Sequence, residues 1–374
     1  MEKNSKTPYY LYDLKLLSKT LDSAKKEAEK YNYKIHYALK ANSNNEILEL
    51  INNKGFGADC VSGNEVRKAI EIGFKNQEIA FAGVGKSDEE INTGLENDIF
   101  SFNCESIQEL EVINELALEK EKIATISLRI NPNVNAYTHH YITTGLEENK
   151  FGINMWEMET ILDKLPVLKN IKIKGLHFHI GSQITSLEPF KNLCIRVNEI
   201  NNWFTERNIN LEHLNLGGGL GIDYQNPDKN PIPNFEAFFG LFNQFLEPKP
   251  QQEIHFELGR SLVGNCGSLI SKVLYIKEGV KTNFAILDAG MTELIRPALY
   301  QSHHKIKNIS SQEIETKFYD VVGPICESSD CFGKKIELKT TKRGDLIKIY
   351  STGAYGEVMA SRYNLREETR AIYC

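Results

Sequence analysis

Lys40 lies in the segment Tyr37-Ala38-Leu39-Lys40-Ala41-Asn42, an apolar setting for an ammonium. Burial lowers a lysine pKa and frees the neutral amine to attack an aldehyde; a solvated lysine at a strand end is the plainer reading. Gly217-Gly218-Gly219-Leu220-Gly221 follows an apolar run, and glycines let backbone N–H groups approach a phosphate closely. This stretch has neither the glycine spacing of a dinucleotide fold nor the Gly-Lys-Ser/Thr of a P-loop, and a tight turn without ligand would use the same residues. His177 and His179 alternate and so point to one face of a strand. That suits an imidazole stacked on a heteroaromatic ring, or a satisfied core histidine. No cysteine or carboxylate completes a ligand set there, so no metal is expected. Glu257-Leu258-Gly259-Arg260 closes another run; its carboxylate could keep a pyridine nitrogen protonated and turn the ring into an electron sink, or form a structural ion pair.

Two polar clusters stand out further on, Cys326-Glu327-Ser328 and Gly353-Ala354-Tyr355-Gly356. Cys326 is either a proton donor or a small buried hydrophobe. Arg296, in Arg296-Pro297-Ala298-Leu299-Tyr300, offers a fork suited to a carboxylate, or is a surface arginine.

These residues need a frame. Apolar runs at 34–40, 57–62, 78–83, 99–103, 125–131, 173–181, 213–219 and 253–258 alternate with stretches of helical periodicity. Such alternation argues for parallel βα units. Ser/Thr-x-x-Glu capping boxes follow at Ser43/Glu46, Ser62/Glu65, Ser87/Glu90, Ser106/Glu109 and Thr185/Glu188. Eight units match a (β/α)8 barrel, whose chemistry lies at the C-terminal strand ends. Those ends carry Lys40, Asp59, Asn103, Arg129, His179, the glycines and Glu257. Beyond Glu257 the runs 268–276, 283–288, 317–322 and 346–350 are strand-like, and Pro8-Tyr9-Tyr10-Leu11-Tyr12 could add one more strand. The expected domains are an N-terminal strand and helix (1–30), the barrel (31–258) and a C-terminal β-sandwich or barrel (259–374).

The 374 residues are 41% hydrophobic and 25% charged, with net charge −6, ordinary for a soluble protein and unlike a nucleic-acid binder. No apolar run reaches the ~20 residues of a membrane span. The start has no signal-like apolar stretch. Seven cysteines without a Cys-x-x-Cys pair suggest reduced thiols and a cytoplasmic enzyme.

In this order, the motifs resemble the alanine-racemase-like (fold type III) pyridoxal-phosphate decarboxylases over nearly the whole chain. Further pieces that carry the likeness are Arg129–Pro132, His139 through Tyr141-Ile142 to Thr144-Gly145, Lys150–Ile153, His177–Gln183, Gly323–Ser328, Asp330 and Gly353–Tyr363. The likeness is strongest to the branch acting on meso-2,6-diaminopimelate, which implies release of L-lysine and CO2; relatives that decarboxylate ornithine, arginine or carboxynorspermidine, and a non-catalytic cofactor-binding homologue, are the alternatives. It implies that Lys40 carries pyridoxal 5'-phosphate as a Schiff base, His179 stacks on its ring and Glu257 holds its nitrogen, with Asp59 also in the cofactor site. Ser182, Gly217, Gly218, Gly219, Gly259, Arg260 and Tyr355 would hold the phosphate. Arg260, Arg296, Tyr300, Glu327 and Tyr355 would bind substrate, and Cys326 would reach in from the second subunit of a homodimer as proton donor. One departure is Leu258, where the family usually has proline; a leucine restores an N–H and loosens φ.

Overall fold

The computed structural model describes residues 5–135 and 150–374; the motif at His139, Tyr141, Ile142, Thr144 and Gly145 lies outside them. The chain divides into two units. One comprises Leu21–Gly221 and Asn234–Gly259, the other Met1–Thr20, Ile222–Pro233 and Arg260–Cys374.

The first unit is the (β/α)8 barrel. Strands β2 (Lys34–Ala38), β3 (Gly57–Cys60), β4 (Ile79–Phe81), β5 (Ser101–Cys104), β6 (Ala124–Arg129), β7 (Ile171–His177), β8 (His213–Asn215) and β9 (Glu253–Leu258) close on themselves. Every pairing is parallel, and the ring is sealed by Tyr37 of β2 opposite Leu258 of β9. Helices α2 (Asn45–Asn53), α3 (Gly63–Ile72), α4 (Asp88–Glu96), α5 (Ile107–Glu119), α6 (Met158–Lys164), α7 (Glu188–Glu206) and α8 (Phe235–Phe245) return the chain between strands; α1 (Leu14–Glu29) precedes β2.

The caps divide the helices. Ser62, Ser87 and Ser106 each accept the N–H of the glutamate three residues on, and Glu90 completes the box at Ser87. Glu65 and Glu109 instead reach one residue further back, to the N–H of Val61 and of Glu105. The boxes at Ser43 and Thr185 do not form: α2 starts after Asn44 and α7 after Leu187, neither with a side-chain cap. Behind the sheet, Phe238, Phe239 and Phe242 of α8 set their edges against Phe256 of β9 at 4.8–5.6 Å between centroids. Truncating one such ring to alanine costs about 3–5 kcal/mol.

The second unit is built on an eight-stranded sheet. Its strands are β1 (Tyr9–Tyr12), β10 (Gly267–Glu278), β11 (Asn283–Leu287), β12 (Ile306–Asn308), β13 (Thr316–Val322), β14 (Cys331–Lys339), β15 (Leu346–Ile349) and β16 (Arg370–Tyr373), with short helices α9 (Arg260–Val263) and α10 (Arg296–Tyr300). The N-terminal strand joins it as expected, antiparallel to β10 and parallel to β16.

Candidate active site

The barrel's C-terminal rim gathers the predicted polar residues that the unit carries. Lys40 sits in a short 3-10 turn directly after β2 (Leu39–Ala41), with Leu39 and Ala41 buried on either side. Its ammonium is 3.4 Å from Asp59 Oδ2 at the end of β3 and is partly exposed. Asp59 is fully buried. Burial, then the charge of Glu257, push its carboxyl up to about 8, against the pull of Lys40. Its Oδ1 has no hydrogen-bond partner among the described residues.

Glu257 is the anchor of the rim. Its Oε1 accepts from Asn103 Nδ2 at 3.0 Å and Asn215 Nδ2 at 2.7 Å, and its Oε2 from His177 Nε2 at 2.8 Å. Burial alone would raise this carboxyl. The His177 ring, by charge and by hydrogen bond, with Lys40 beyond it, takes it well below the ordinary range. Sequence reasoning missed both Asn215 and this task of His177. Asn215 is the last residue of β8, and a buried asparagine at a strand end was the available signal. The two histidines divide: His177 closes β7 and binds Glu257, while His179 lies in the loop after it. His179 Nδ1 accepts the N–H of Gly218 at 3.3 Å, so its ring is neutral with the proton on Nε2. Burial, and then Arg129 and Lys40, hold its pKa well below the usual value.

The glycines meet two demands. Gly217 takes a left-handed φ of +66°, and a Cβ on Gly218 would collide with the Glu257 carbonyl oxygen. Close packing of this loop against β9 therefore requires them. Gly217 N–H donates to Asn215 Oδ1. The amides of Gly219 and Leu220 have no acceptor among the described residues, which leaves consecutive donors suited to a phosphate. Ser182 lies in the loop after His179, half-buried, and Gly259 follows directly on β9. The anionic Glu257, the neutral His179, the orphaned Asp59 Oδ1 and these amides fit a phosphorylated pyridine aldehyde.

Two other rim residues have structural tasks. Arg129 forms a buried ion pair with Glu105 at 2.8 Å. Lys86, also missed from sequence, spends its ammonium on Glu109 and the carbonyls of Gly83 and Asn103. Among the described residues no group of three or more His, Cys, Asp or Glu could hold a metal.

In the β unit, Arg260, Arg296, Tyr300 and Tyr355 come together with Tyr224. The Arg260 guanidinium lies 4.8 Å from the centre of the Tyr355 ring, and that of Arg296 lies 5.5 Å from Tyr300. Tyr355 is held at φ +56°, a conformation bulky side chains seldom adopt. Cys326 and Glu327 do not join this cluster. Both are exposed in the turn between β13 and β14, where Glu327 Oε1 accepts from Tyr363 OH at 3.0 Å. Asp330 pins that turn by accepting the N–H groups of Ile325 and Met291.

Comparison with known proteins fits this arrangement. Residues 14–264 match the family model "Pyridoxal-dependent decarboxylase, pyridoxal binding domain". A diaminopimelate decarboxylase of Bacteroides thetaiotaomicron is 58% identical over 362 residues, 96% of this chain and 94% of that protein. The crystal structure of the Helicobacter pylori diaminopimelate decarboxylase complexed with L-lysine superposes with a TM-score of 0.94 at 39% identity, covering 100% of this chain and 92% of that one. The M. jannaschii diaminopimelate decarboxylase with L-lysine gives 0.90 at 35% identity, covering 98% and 87%. The chain therefore belongs to the pyridoxal-dependent decarboxylases, in the diaminopimelate decarboxylase family.

Proposed function

We propose that this enzyme removes CO2 from the D-centre of meso-2,6-diaminopimelate to give L-lysine, the last step of lysine biosynthesis. The observation that carries the reading is 58% identity to a diaminopimelate decarboxylase, sustained over 96% of the chain. The cofactor, pyridoxal 5'-phosphate, supplies an electron sink for the pair released when the carboxylate bond breaks.

The protein's own part is to bind, orient and move protons. Lys40 is the covalent anchor, beside Asp59. Glu257, fixed as an anion by three donors, keeps a proton on the ring nitrogen. His179, neutral and flat, supports the ring. The amides after Gly218, with Gly217, Ser182, Gly259, Arg260 and Tyr355, hold the phosphate. Arg296, Tyr300 and Arg260 grip the far end of the substrate, a second amino-acid group that calls for a fixed cation. Glu327 is assigned to its ammonium.

Cys326 delivers the proton to the α-carbon from the second subunit of a homodimer. Its exposure, and the pairing of Glu327 with Tyr363 rather than with either arginine, support donation across an interface. Mixing inactive Lys40→Ala and Cys326→Ala proteins regains activity if sites are shared. A cytoplasmic location suits the seven unpaired cysteines. Parallel assay of CO2 release from meso-diaminopimelate, ornithine, arginine and carboxynorspermidine with added cofactor tests the substrate. Comparable turnover of ornithine overturns it.

A further inference from the structure

The arginine–tyrosine cluster of the β unit has a member with no role so far. Tyr224 stands in the segment Ile222–Pro233 and is almost fully buried. Its oxygen accepts a hydrogen bond from Arg260 Nη1 at 2.6 Å. The Arg260 and Arg296 guanidiniums lie 6.0 and 5.9 Å from its ring centre. Beyond these are the Tyr355 ring, 4.8 Å from Arg260, and the Tyr300 ring, 5.5 Å from Arg296. The His304 ring meets that of Tyr224 edge-on at 5.0 Å without a hydrogen bond.

The orphaned groups around Tyr224 are mostly donors; the buried acceptor beside them, His304 Nε2, whose ring carries its proton on Nδ1 toward the Tyr350 carbonyl, makes no hydrogen bond to the phenol. The Tyr224 hydroxyl hydrogen has no acceptor among the described residues. Arg296 Nε is buried and has no partner, and no carboxylate among the described residues pairs with Arg296. Orphaned buried donors are costly, and here they share one cluster with a guanidinium. The group that relieves them is an anion with two acceptor oxygens.

We infer that Tyr224 is a specificity-determining residue whose hydroxyl donates to the carboxylate at the distal end of the substrate, beside Arg296. This rests on the proposed assignment of Arg296 to that carboxylate. Selectivity follows from chemistry: a ligand without the carboxylate leaves the hydroxyl and Arg296 Nε unsatisfied, which a buried site penalises strongly. A pH dependence follows as well. Burial pushes the Tyr224 phenol up, but the two guanidiniums and the Arg260 hydrogen bond outweigh it and bring it below the usual tyrosine value. The charged and titratable groups facing it are Arg260, Arg296, Tyr300, Tyr355 and His304, the last kept neutral by burial and Arg296 at about 3. Loss of the phenol proton at alkaline pH removes the donor and sets a negative charge against the carboxylate.

The test is competitive inhibition of the cofactor-loaded enzyme by L-lysine and by cadaverine, which lacks the carboxylate. Tyr224→Phe is expected to weaken L-lysine about tenfold, raise KM similarly with little change in kcat, and leave cadaverine unchanged. Its affinity for L-lysine should also lose the alkaline fall-off of the native enzyme. Arg296→Lys separates the two layers of the argument. If it discriminates between the inhibitors and Tyr224→Phe does not, the role of Tyr224 is wrong. If Arg296→Lys does not discriminate either, the carboxylate assignment itself falls. Equal weakening of both inhibitors by Tyr224→Phe, with a lower Tm, would show a hydroxyl that only orients Arg260 and would also overturn the inference.

Discussion

At the N-terminal end of the barrel His36, His213 and His255 close around Phe100, whereas at the C-terminal rim His177 and His179 stand with Lys40, Asp59 and Glu257. The first group is closed on itself except at His255 Nε2, which makes no hydrogen bond and lies 3.3 Å from the half-exposed Glu253 carboxylate. His36 Nδ1 faces the Glu78 carbonyl at 3.0 Å and must carry a proton, so its Nε2 accepts from His255 Nδ1 at 2.8 Å. His213 Nε2 meets Ser127 Oγ at 2.7 Å, which continues to Ser101. The rings pack on Phe100 at 4.7–5.6 Å. The rim is built otherwise. An anion is locked in place while Asp59 Oδ1, Asn103 Oδ1 and His177 Nδ1 have no partner among the described residues. Imidazoles and carboxyl groups occur at both ends of one barrel. The rim differs by a fixed charge surrounded by unmet hydrogen-bonding capacity, the condition of a site organised for a ligand.

The contrast breaks most sharply at Lys40. Lys40→Ala should cost on the order of a thousandfold or more in CO2 release with little change in Tm, since its ammonium is partly exposed and Asp59, whose carboxyl burial already raises to about 8, can hold its proton once the cation is gone. Mass spectrometry after borohydride reduction should lose the covalently attached cofactor. Retained attachment at another lysine would remove Lys40 from its role. The side chain of Lys86, beside the rim, is buried, and its ammonium is already engaged three times over.

Glu257→Gln comes next, with a loss of about a hundredfold in kcat and a smaller change in KM. The variant can keep its fold: the amide oxygen accepts from Asn103 and Asn215, and the NH2 group meets His177 once that ring moves its proton to Nδ1. The charge alone is lost, so an altered absorbance of bound cofactor should accompany the slower turnover. A variant with native kcat would mean that the anion is structural.

Much of this was legible in the sequence because period and punctuation agree. Eight apolar runs became eight barrel strands, and three serine caps formed where spacing put them. The failures have local causes. At Ser43 and Thr185 the helix began one or more residues later, so the hydroxyls could not reach the orphan amides. Strand β14, Cys331–Lys339, escaped notice because only two of its nine residues are buried and three are lysines. On the rim, Lys40, His179 and Glu257 were placed by their setting at strand ends. Asn215 and Tyr224 were not, because their tasks come from neighbours that are distant in sequence. Alternation placed His177 and His179 as equals, yet the strand stops between them.

The smallest effect sharpens the other end of the comparison. Burial, and then His255, hold the His36 pKa down at about 4, and burial with His255 and His36 holds His213 at about 3. Both lie below the ordinary histidine value of about 6.5, so the unfolded chain binds protons first as pH falls. Their contribution to stability is complete above about pH 6.5 and is lost progressively down to their folded pKa values. Thermal unfolding from pH 7 to pH 4 should show this as a falling Tm. His213→Gln can keep a polar contact to Ser127 while removing one titration, so it should flatten the acid limb by a few degrees, as a change of about 1–2 kcal/mol implies. Cofactor attachment at Lys40 should be unchanged in the variant at pH 7. A variant with the native acid limb would show that carboxylates elsewhere, rather than this closed histidine cluster, set the acid sensitivity of the barrel.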